Sequence, residues 1–390
     1  MPPEKHAYLS ASGSSRWLHC TPSARLEAQF PSASSPYAEA GTLAHSIAEL
    51  KARRYFLEPM STRTYNAAMK KLKQSEHYDL AMDGATDEYL DYLKQLAMTF
   101  SEPPFVALET RVDFSHWVPG GFGTADCIMI GGGRLCVCDY KNGAGVPVDA
   151  TVNSQMMLYA LGALSVYAPI FGDSIQDIHL AIIQPHAGGV KEWCCPRTEL
   201  EEWGETVVKP AAQLAIKGEG EFRPSTDPNG WCRFCKAKAQ CRARAEAMLS
   251  LESEQVEPAL LTNEELGDLL QRSAGLAAWA EDLKAHALAE LLNGRPVPGY
   301  KAVAGRSTRT WTDMDEAFSV LQTRNVPEAM LWERKPVTVA GLEKALGKKV
   351  FAQAAAGLVA KKPGKPTLAP ESDPRTAYDP ARAAFQSEVG

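Results

Sequence analysis

The chain lacks the features that mark exported, membrane-spanning and repeat proteins. No stretch approaches the roughly 20 apolar residues of a membrane span, and the first residues, MPPEKHAYLSASGSS, have no apolar signal-peptide core. The sequence contains no internal repeat and no GxxxxGK[ST] phosphate-binding loop. We therefore expect a cytoplasmic protein that has no membrane partner and no ATP-driven motor of its own.

An excess of positive charge is also missing. The chain has 41 Lys and Arg residues against 47 Asp and Glu residues, which gives a formal net charge of -6. That balance gives no global sign of nucleic-acid binding, although it does not exclude a local basic groove. Hydrophobic residues make up 45% and charged residues 23% of the 390 positions, so the composition is that of an ordinary globular protein with roughly two to three domains.

Cysteines are few and odd in number, with nine in the chain. Because thiols stay reduced in the cytosol, they are more typical of core residues or metal ligands than of disulfides. Cys127, Cys136 and Cys138 lie in apolar strand-like runs, and Cys194 and Cys195 are adjacent. For these five we expect structural roles.

The hydrophobic period changes along the chain. It predicts helices that begin near Ser14 and cover about 39–56, 87–100 and 149–167, and strands at 104–114, 123–131, 134–141 and 178–185. The order helix, three strands, helix, strand is typical of the α/β class. We therefore predict a mixed central sheet flanked by helices.

Composition also divides the chain into three parts. We predict a first domain over 1–250, a helical linker over 251–295, and a small α+β domain over 296–390. The linker contains the long amphipathic stretch 263–293, and the last domain ends in a proline-rich, extended tail from residue 361.

Two aspartates and a lysine fall inside apolar strands. Asp126 lies in one predicted strand, and Asp139 and Lys141 lie in the next. Side chains alternate across a strand, so Asp139 and Lys141 share a face and Tyr140 points away. If Asp126 lies opposite, the spot can bind Mg²⁺ or Mn²⁺, and Lys141 would orient a water or stabilise charge on a phosphate. The alternative is a strand-end salt bridge of Asp139 with Lys141, and a turn that ends at Asp126.

Four further side chains are candidates for the same site. Gln155 and Tyr159 are four residues apart on the helix after the third strand, so they share a face, although Tyr159 also fits the core stripe. His45, on an earlier helix, offers an imidazole ligand, although a single helical histidine is more often structural. Glu109 is a second-tier candidate, and its alternative is an exposed residue that alternates with buried neighbours.

A CxxC pair and a third cysteine occur in WCRFCKAKAQC, which carries Cys232, Cys235 and Cys241, and Cys20 lies far upstream. Four thiolates can hold zinc or an iron–sulfur cluster, so the spacing leaves both open, together with unliganded thiols. The same segment carries a run of basic residues, which predicts either a DNA-facing patch or a solvated helix face. These residues are Arg233, Lys236, Lys238, Arg242 and Arg244.

Taken in order, these residues resemble a known family. His45 in AGTLAHSIAE, Asp126 in GTADCI, the Asp139-Tyr140-Lys141 triplet and the QMMLY helix look like the motifs of the RecB-type branch of the PD-(D/E)XK nuclease superfamily. The resemblance covers about residues 8–245. It implies that Mg²⁺ or Mn²⁺ is held by His45, Asp126, Asp139 and the backbone carbonyl of Tyr140. It also implies that Lys141 is the catalytic lysine and that Gln155 and Tyr159 help to bind DNA and position the site.

Iron–sulfur members of this branch resemble the chain in their cysteines as well. AddB-type helicase-nuclease subunits and CRISPR-associated RecB-like nucleases place one cysteine before the histidine motif and three after the QxxxY helix. The match implies a [4Fe-4S] cluster on Cys20, Cys232, Cys235 and Cys241, with zinc as the alternative. Such a cluster would pin the N-terminal helix to the end of the nuclease domain.

The resemblance implies a metal-dependent deoxyribonuclease that acts as an exonuclease on single strands or duplex ends. The size and C-terminal extension look like those of phage or prophage members, which implies a role in phage DNA replication or recombination in the host cytosol. A helicase or a single-strand-binding or recombination protein would be the partner. The alternatives are a catalytically inactive DNA-binding scaffold, a recombination accessory protein, and a nuclease that acts on RNA.

Overall fold

A computed structural model describes residues 7–31, 36–249 and 263–303, and beyond these 313–323, 331, 338–339, 341, 343, 347–355 and 358–359. The chain divides into two compact units, Met1–Val303 and Ala304–Gly390. The second unit contains helices α11 (Met314–Thr323) and α12 (Lys348–Ala354). The α+β character predicted there stays a prediction, as do the boundaries at 250 and 295, and the proline-rich tail lies outside the described residues.

The first unit is built on a five-stranded mixed sheet. Its strands are β1 (Phe105–Asp113), β2 (Phe122–Gly131), β3 (Arg134–Tyr140), β4 (Asp177–Gln184) and β5 (Gly189–Pro196), in that spatial order. All neighbours are antiparallel except β3 and β4, which are parallel and are joined through helix α6 (Ser154–Phe171). The predicted mixed sheet flanked by helices, of the α/β class, is therefore confirmed.

Helices cover both faces of this sheet. One face packs against α3 (Pro36–Phe56) and α5 (Ala81–Met98), and α4 (Thr62–Leu72) packs on α3. The other face packs against α6. Around α6 lie the short helices α1 (Ser14–His19), α2 (Ser23–Glu27), α7 (Arg197–Trp203) and α8 (Lys209–Lys217). Helices α9 (Arg242–Leu249) and α10 (Asn263–Leu292) complete the unit.

Helix α6 is the most apolar helix of the sheet layer. By length and composition alone, the segment Ser154–Ser174 could cross a membrane. From the sequence we expected no such stretch. Its hydropathy has a simpler cause, because 56% of its apolar 18-residue window is buried in the protein and the helix packs on four strands. Gly162 permits this close approach, since an added Cβ would lie 2.9 Å from the Cβ of Val112.

Several predicted details are wrong. Ser14 does not cap α1: it is the first helical residue, and its Oγ lies 2.6 Å from the Oγ of Ser154. Helix α6 begins at Ser154 rather than near 149, because the Asn153 side chain accepts the backbone N–H groups of Gln155 and Met156. The sequence analysis predicts neither helix α4 nor strand β5. Strand β5 gives little signal because it is an edge strand with few buried residues and a weak alternation.

The side-chain alternation of β1 and β2 breaks at one level of the sheet. On β1, Leu108 belongs to the core under α3 and α5, whereas Val112 belongs to the core under α6, although strict alternation would place both on one face. Glu109 lies at this break, with a left-handed φ of 45°. The same change of face occurs on β2 around Asp126. The irregular backbone therefore lies where the candidate site residues meet.

Candidate functional site

The predicted charged residues converge at one end of β3. Asp139 is the penultimate residue of the strand and is only 2% exposed. Its Oδ2 lies 2.8 Å from Lys141 Nζ, and its Oδ1 accepts a hydrogen bond of 3.2 Å from Gln155 Nε2. Among the described residues, the Lys141 ammonium is the polar partner of Asp139 Oδ2, and no further hydrogen bond is made to this oxygen. A buried carboxylate oxygen is thus left with coordination capacity.

Asp126 connects this end of the sheet to the α3 layer. Its Oδ2 lies 3.2 Å from His45 Nδ1 and accepts a hydrogen bond of 2.7 Å from the backbone N–H of Tyr140. Asp126 lies inside β2, so the alternative in which it ends a turn is wrong. The predicted Asp139–Lys141 ion pair is present, but as one part of a larger cluster.

Glu109 belongs to this cluster as well. Ligand atoms of His45, Glu109 and Asp126 all lie within 4.8 Å of one another. Burial and the neighbouring charge of Asp126 raise the pKa of Glu109 to about 7. The left-handed backbone at Glu109 costs about 1–3 kcal/mol, a strain that is often found at functional sites. The alternative of an ordinary exposed strand residue is therefore wrong.

The charges of the site perturb one another strongly. Burial lowers the pKa of His45, but the charge of Asp126 and the hydrogen bond to it prevail and raise that pKa to about 9. Burial likewise opposes the ionised form of Asp126, yet His45 and the Tyr140 N–H hold its pKa below the usual value. Burial raises the pKa of Asp139 despite the attraction of Lys141. The carboxylates of Glu109, Asp126 and Asp139 lie close together beside His45 and Lys141, an arrangement that a bound cation would stabilise.

Gln155 and Tyr159 lie on the same face of α6, as their spacing predicts. Gln155 Nε2 also donates a hydrogen bond of 3.2 Å to the Tyr159 hydroxyl. Burial raises the pKa of Tyr159 to about 12. Gly123 leaves room for this ring, because an added Cβ would lie 2.6 Å from Tyr159 Cε1. The pair therefore holds Asp139 from the α6 side while His45 approaches from the α3 side.

Tyr140 points its side chain away from Asp139. Its ring packs on Tyr89, with centroids 5.3 Å apart, and meets the His45 ring edge-on at 5.4 Å. Its hydroxyl donates to Asn142 Oδ1 at 3.1 Å. The side chain thus orients His45, and only the backbone of Tyr140 is available to a ligand on the Asp139 side.

The donor set fits a hard divalent cation. Carboxylate oxygens with one imidazole are ligands that Mg²⁺ and Mn²⁺ accept, and these ions keep several waters besides protein ligands. Asp139 Oδ2 has spare coordination capacity, and the three ligand atoms of the His45 group are close together. The residues present therefore fit such an ion.

The four cysteines singled out in the sequence line one cavity. Cys20, Cys232, Cys235 and Cys241 all face it, together with Ser23, Trp231 and Arg244. Burial raises the pKa of three of these thiols, that of Cys235 to about 12. The N–H of Ser225 donates to Cys232 Sγ at 3.2 Å, a contact common at metal-bound thiolates.

The spacing of these sulfurs bears on the metal. A tetrahedral zinc site with Zn–S of about 2.3 Å requires sulfurs about 3.8 Å apart. Among the described residues, no three of these cysteines bring their sulfurs within 4.8 Å of one another. The sulfurs are therefore not arranged as in a formed zinc site, and the enclosed space of about 20 Å³ is also too small for a formed [4Fe-4S] cluster, so zinc and the cluster both stay open.

The basic segment around these cysteines is partly structural. Arg244 is 3% exposed and pairs with Asp282 of α10 at 2.7 Å, and Lys238 pairs with the same carboxylate at 2.6 Å. Arg244 is therefore not part of a solvent-facing patch, whereas the Lys238 side chain is 35% exposed and its predicted DNA-facing role stays a prediction. The predicted DNA-facing role of Arg233, Lys236 and Arg242 stays a prediction.

Four of the five remaining cysteines are buried. Cys127, Cys136 and Cys138 are buried in the core under α3 and α5, as predicted. Cys195 is buried under α6, whereas Cys194 is exposed on β5.

Comparison with protein families gives a match over almost the whole length. A family model described as "Protein of unknown function (DUF2800)" matches residues 6–376. The chain belongs to the DUF2800 family. Among solved structures, one described as "Crystal structure of SSO0001" is similar at 16% identity and a TM-score of 0.23, over 52% of this chain and 84% of that chain. A similarity that low carries no argument about fold or function.

In this DUF2800 chain one acidic side chain at the site gave little signal in the sequence. Glu49, one turn after His45 on α3, lines the small pocket formed by His45, Glu109 and Asp126. It pairs with Arg53 at 2.7 Å, an ordinary i, i+4 helix contact. Only the HxxxE spacing from His45 could have indicated it.

Proposed function

We propose that this DUF2800 chain is a Mg²⁺- or Mn²⁺-dependent deoxyribonuclease with a PD-(D/E)XK-type core. One observation carries the proposal: three carboxylates, an imidazole and an ammonium from β1, β2, β3 and α3 meet at one end of the sheet. Burying like charges together is costly unless a cation joins them. The motif order His45, Asp126, Asp139-x-Lys141, Gln155-x₃-Tyr159 supports the same family of nucleases.

Each residue of the site would have a role that follows from its position. His45, Asp126, Asp139 and the carbonyl of Tyr140 would hold the cation, and Glu109 adds a carboxylate beside His45. When bound, the ion supplies Lewis-acid activation of the phosphate and of a water. Gln155 fixes Asp139 through the hydrogen bond of 3.2 Å. The reacting phosphate would therefore lie at the end of β3.

Lys141 would act as a charged hydrogen-bond donor. Its Nζ is held 2.8 Å from Asp139 Oδ2, so the ammonium form is stabilised beside the metal ligands. An ammonium has three donors and no acceptor, so it can hold a phosphate oxygen or orient a water but cannot accept a proton. Its contribution would grow as negative charge develops on the phosphate.

We also propose a [4Fe-4S] cluster at the cysteine cavity. The four ligands come from the chain after α1 and from the segment before α9, which are far apart in the sequence. Binding of the cluster would tie these segments together, so its role is to stabilise the domain rather than to take part in hydrolysis. Zinc remains the alternative occupant.

The cellular role rests on the family resemblance. It suggests phage or prophage DNA replication or recombination, with a helicase or a single-strand-binding or recombination protein as partner. Unwinding would have to come from that partner, since the chain has no GxxxxGK[ST] loop.

The test uses anaerobically purified full-length protein and end-labelled single-stranded and duplex DNA in Mn²⁺ or Mg²⁺. Asp139→Ala and Lys141→Ala are compared with Asp173→Ala and Lys284→Ala, which alter an aspartate and a lysine whose side chains are 100% and 71% exposed. We expect metal-dependent degradation that only the first two variants lose. Intact DNA bound by folded, metal-loaded wild-type protein would favour the DNA-binding scaffold. Preferential cleavage of RNA would identify RNA as the substrate instead.

A further inference from the structure

A groove of mixed polar and apolar lining runs beside the candidate metal centre. It has a volume of about 560 Å³, within the usual range of roughly 300–1,000 Å³ for ligand sites. One wall comes from the segment 12–19 and the other from 151–155, with Trp203 and Val207 at the side. Its lining combines apolar side chains with hydroxyl, amide and imidazole groups and contains no carboxylate. Such a surface offers hydrogen-bond donors to an anionic chain and no charge that repels it.

The groove is joined to the metal centre through one side chain. Gln155 lines the groove and donates its Nε2 hydrogen to Asp139 Oδ1. The two walls are braced where Ser14 Oγ and Ser154 Oγ meet at 2.6 Å. Ser12, Ser15 and Thr151 are exposed along the same surface, so their hydroxyls are open to solvent. A polymer that lies in the groove would therefore pass within reach of Asp139.

An aromatic platform lies at the other end. The His19 ring lines the groove and stacks on the indole of Trp231, with centroids 4.4 Å apart and planes within 9°. His19 Nδ1 lies 2.7 Å from the carbonyl of Ser15, and Trp231 Nε1 donates to the carbonyl of Arg223 at 2.7 Å. Both rings are thus fixed by hydrogen bonds. His19 is exposed and offers a ring face to an unpaired base.

We propose that this groove binds the substrate as single-stranded DNA, with a base stacked on the His19–Trp231 pair and phosphates bonded by the serine and threonine hydroxyls. A duplex keeps its bases stacked inside and cannot offer a base face to His19, whereas a single strand can. The inference rests on the proposed nuclease function for its ligand, but the binding surface itself is independent of hydrolysis. It assigns His19 and Trp231 to strand binding.

The experiment measures binding of a fluorescein-labelled single-stranded oligonucleotide and of its duplex to the full-length protein, without added divalent cation so that hydrolysis does not remove the probe. We expect His19→Ala to weaken single-strand binding by about 5- to 150-fold, the range for loss of one stacked base, and to leave duplex binding unchanged. His19→Phe keeps a stacking ring and should retain the affinity. His77→Ala is the matched control, since its ring pairs with Glu39 and Glu76, none of which lines the groove.

The outcomes separate this inference from the nuclease proposal. Wild-type protein that cleaves DNA while His19→Ala, folded by circular dichroism, binds single strands normally would overturn the groove and keep the nuclease. Single-strand binding lost in His19→Ala and restored in His19→Phe, by a protein that cleaves nothing, would support the groove and reject the nuclease. Tighter binding of duplex, or of an RNA oligonucleotide of the same sequence, would also overturn the proposal.

Discussion

The site at the end of β3 and the cysteine cavity are organised in different ways. At the end of β3, neighbouring strands bring the groups together. Contacts of 2.7–3.2 Å join Asp126 to His45 and to the Tyr140 backbone, and join Asp139 to Lys141 and Gln155. At the cavity, the four cysteines come from loops and turns, and no three described sulfurs lie within 4.8 Å of one another. The first site is preorganised by the fold, whereas the second would be completed by its ligand.

For the two proposed metals, this difference predicts different consequences of metal loss. Removal of the proposed Mg²⁺ or Mn²⁺ from the end of β3 should abolish the proposed cleavage while the sheet and its hydrogen bonds persist. Removal of the cluster should loosen the contact between the N-terminal helices and the segment that ends at Cys241, because metal binding there is coupled to folding. Substitutions at the two sites can test this contrast.

The largest expected effect is that of Asp139→Asn. The substitution keeps the shape of the side chain but removes a charge from the metal site, so cleavage should fall by about 10³-fold. The melting temperature should change by only a few degrees, because the strand pairing is intact. Initial cleavage rates and thermal melts measure the two quantities. Asp177→Asn, at the exposed start of β4, is the control, and near-normal cleavage by Asp139→Asn would refute its role.

The second effect should appear in stability. Cys20→Ser should lose the bound iron and destabilise the first unit by at least about 3 kcal/mol, a fall in melting temperature of roughly 6–12 °C. Iron content and visible absorbance are measured with the melt. Cys194→Ser, on the exposed face of β5, should change neither. Unchanged iron content and stability in Cys20→Ser would contradict the proposal that Cys20 binds a metal cluster in the cavity.

Much of the site at the end of β3 could be predicted from the sequence alone. Alternation along 139–141 places Asp139 and Lys141 together, and the spacing of Gln155 and Tyr159 gives their shared helix face. The position of Glu109 could not be predicted in the same way, because alternation assumes a regular strand and its φ of 45° breaks that assumption. Strand β5 could not be predicted either, because an edge strand with exposed, charged residues has little hydrophobic periodicity.

The cysteine cavity shows a different limit of prediction. The spacing in WCRFCKAKAQC indicates a ligand-binding segment, but nothing in the sequence gives the distance between Cys20 and that segment. That distance depends on how α1 and α2 pack on α8, which is a tertiary contact. The contacts of the basic residues beside the cysteines could not be predicted from the sequence either, because Arg244 and Lys238 pair with Asp282 from a helix that is distant in the sequence.

A smaller effect on activity is expected for Gln155→Ala. In the proposed site, Gln155 holds the metal ligand Asp139 through a hydrogen bond and would not bind the ion itself, so cleavage should fall by about 10- to 100-fold. Raising the Mn²⁺ concentration should restore part of the rate if the loss lies in metal affinity. Gln176→Ala, whose side chain bonds the carbonyl of Asp173 at the other end of the sheet, serves as the control. An unchanged rate and Mn²⁺ dependence would exclude a positioning role.

The smallest effect concerns the strain at Glu109. Glu109→Gly should raise stability by about 0.5–1 kcal/mol, because glycine adopts a positive φ without strain, and should lower the cleavage rate because the carboxylate is lost. Glu109→Ala removes the carboxylate and keeps the strained backbone, so it should lower activity similarly and lack the added stability. Chemical denaturation and cleavage rates separate the two. Equal stability of the two variants would contradict the argument from strain.

The most direct test measures Mn²⁺ binding and DNA cleavage on the same preparations of wild-type protein and Asp126→Ala. We expect the cleavage rate of the wild type to rise with the occupancy of a Mn²⁺ site, and Asp126→Ala to lose both while its iron content stays normal. Wild-type protein that fills this site and leaves DNA intact, or that cleaves DNA without regard to Mn²⁺ or Mg²⁺, would contradict this expectation.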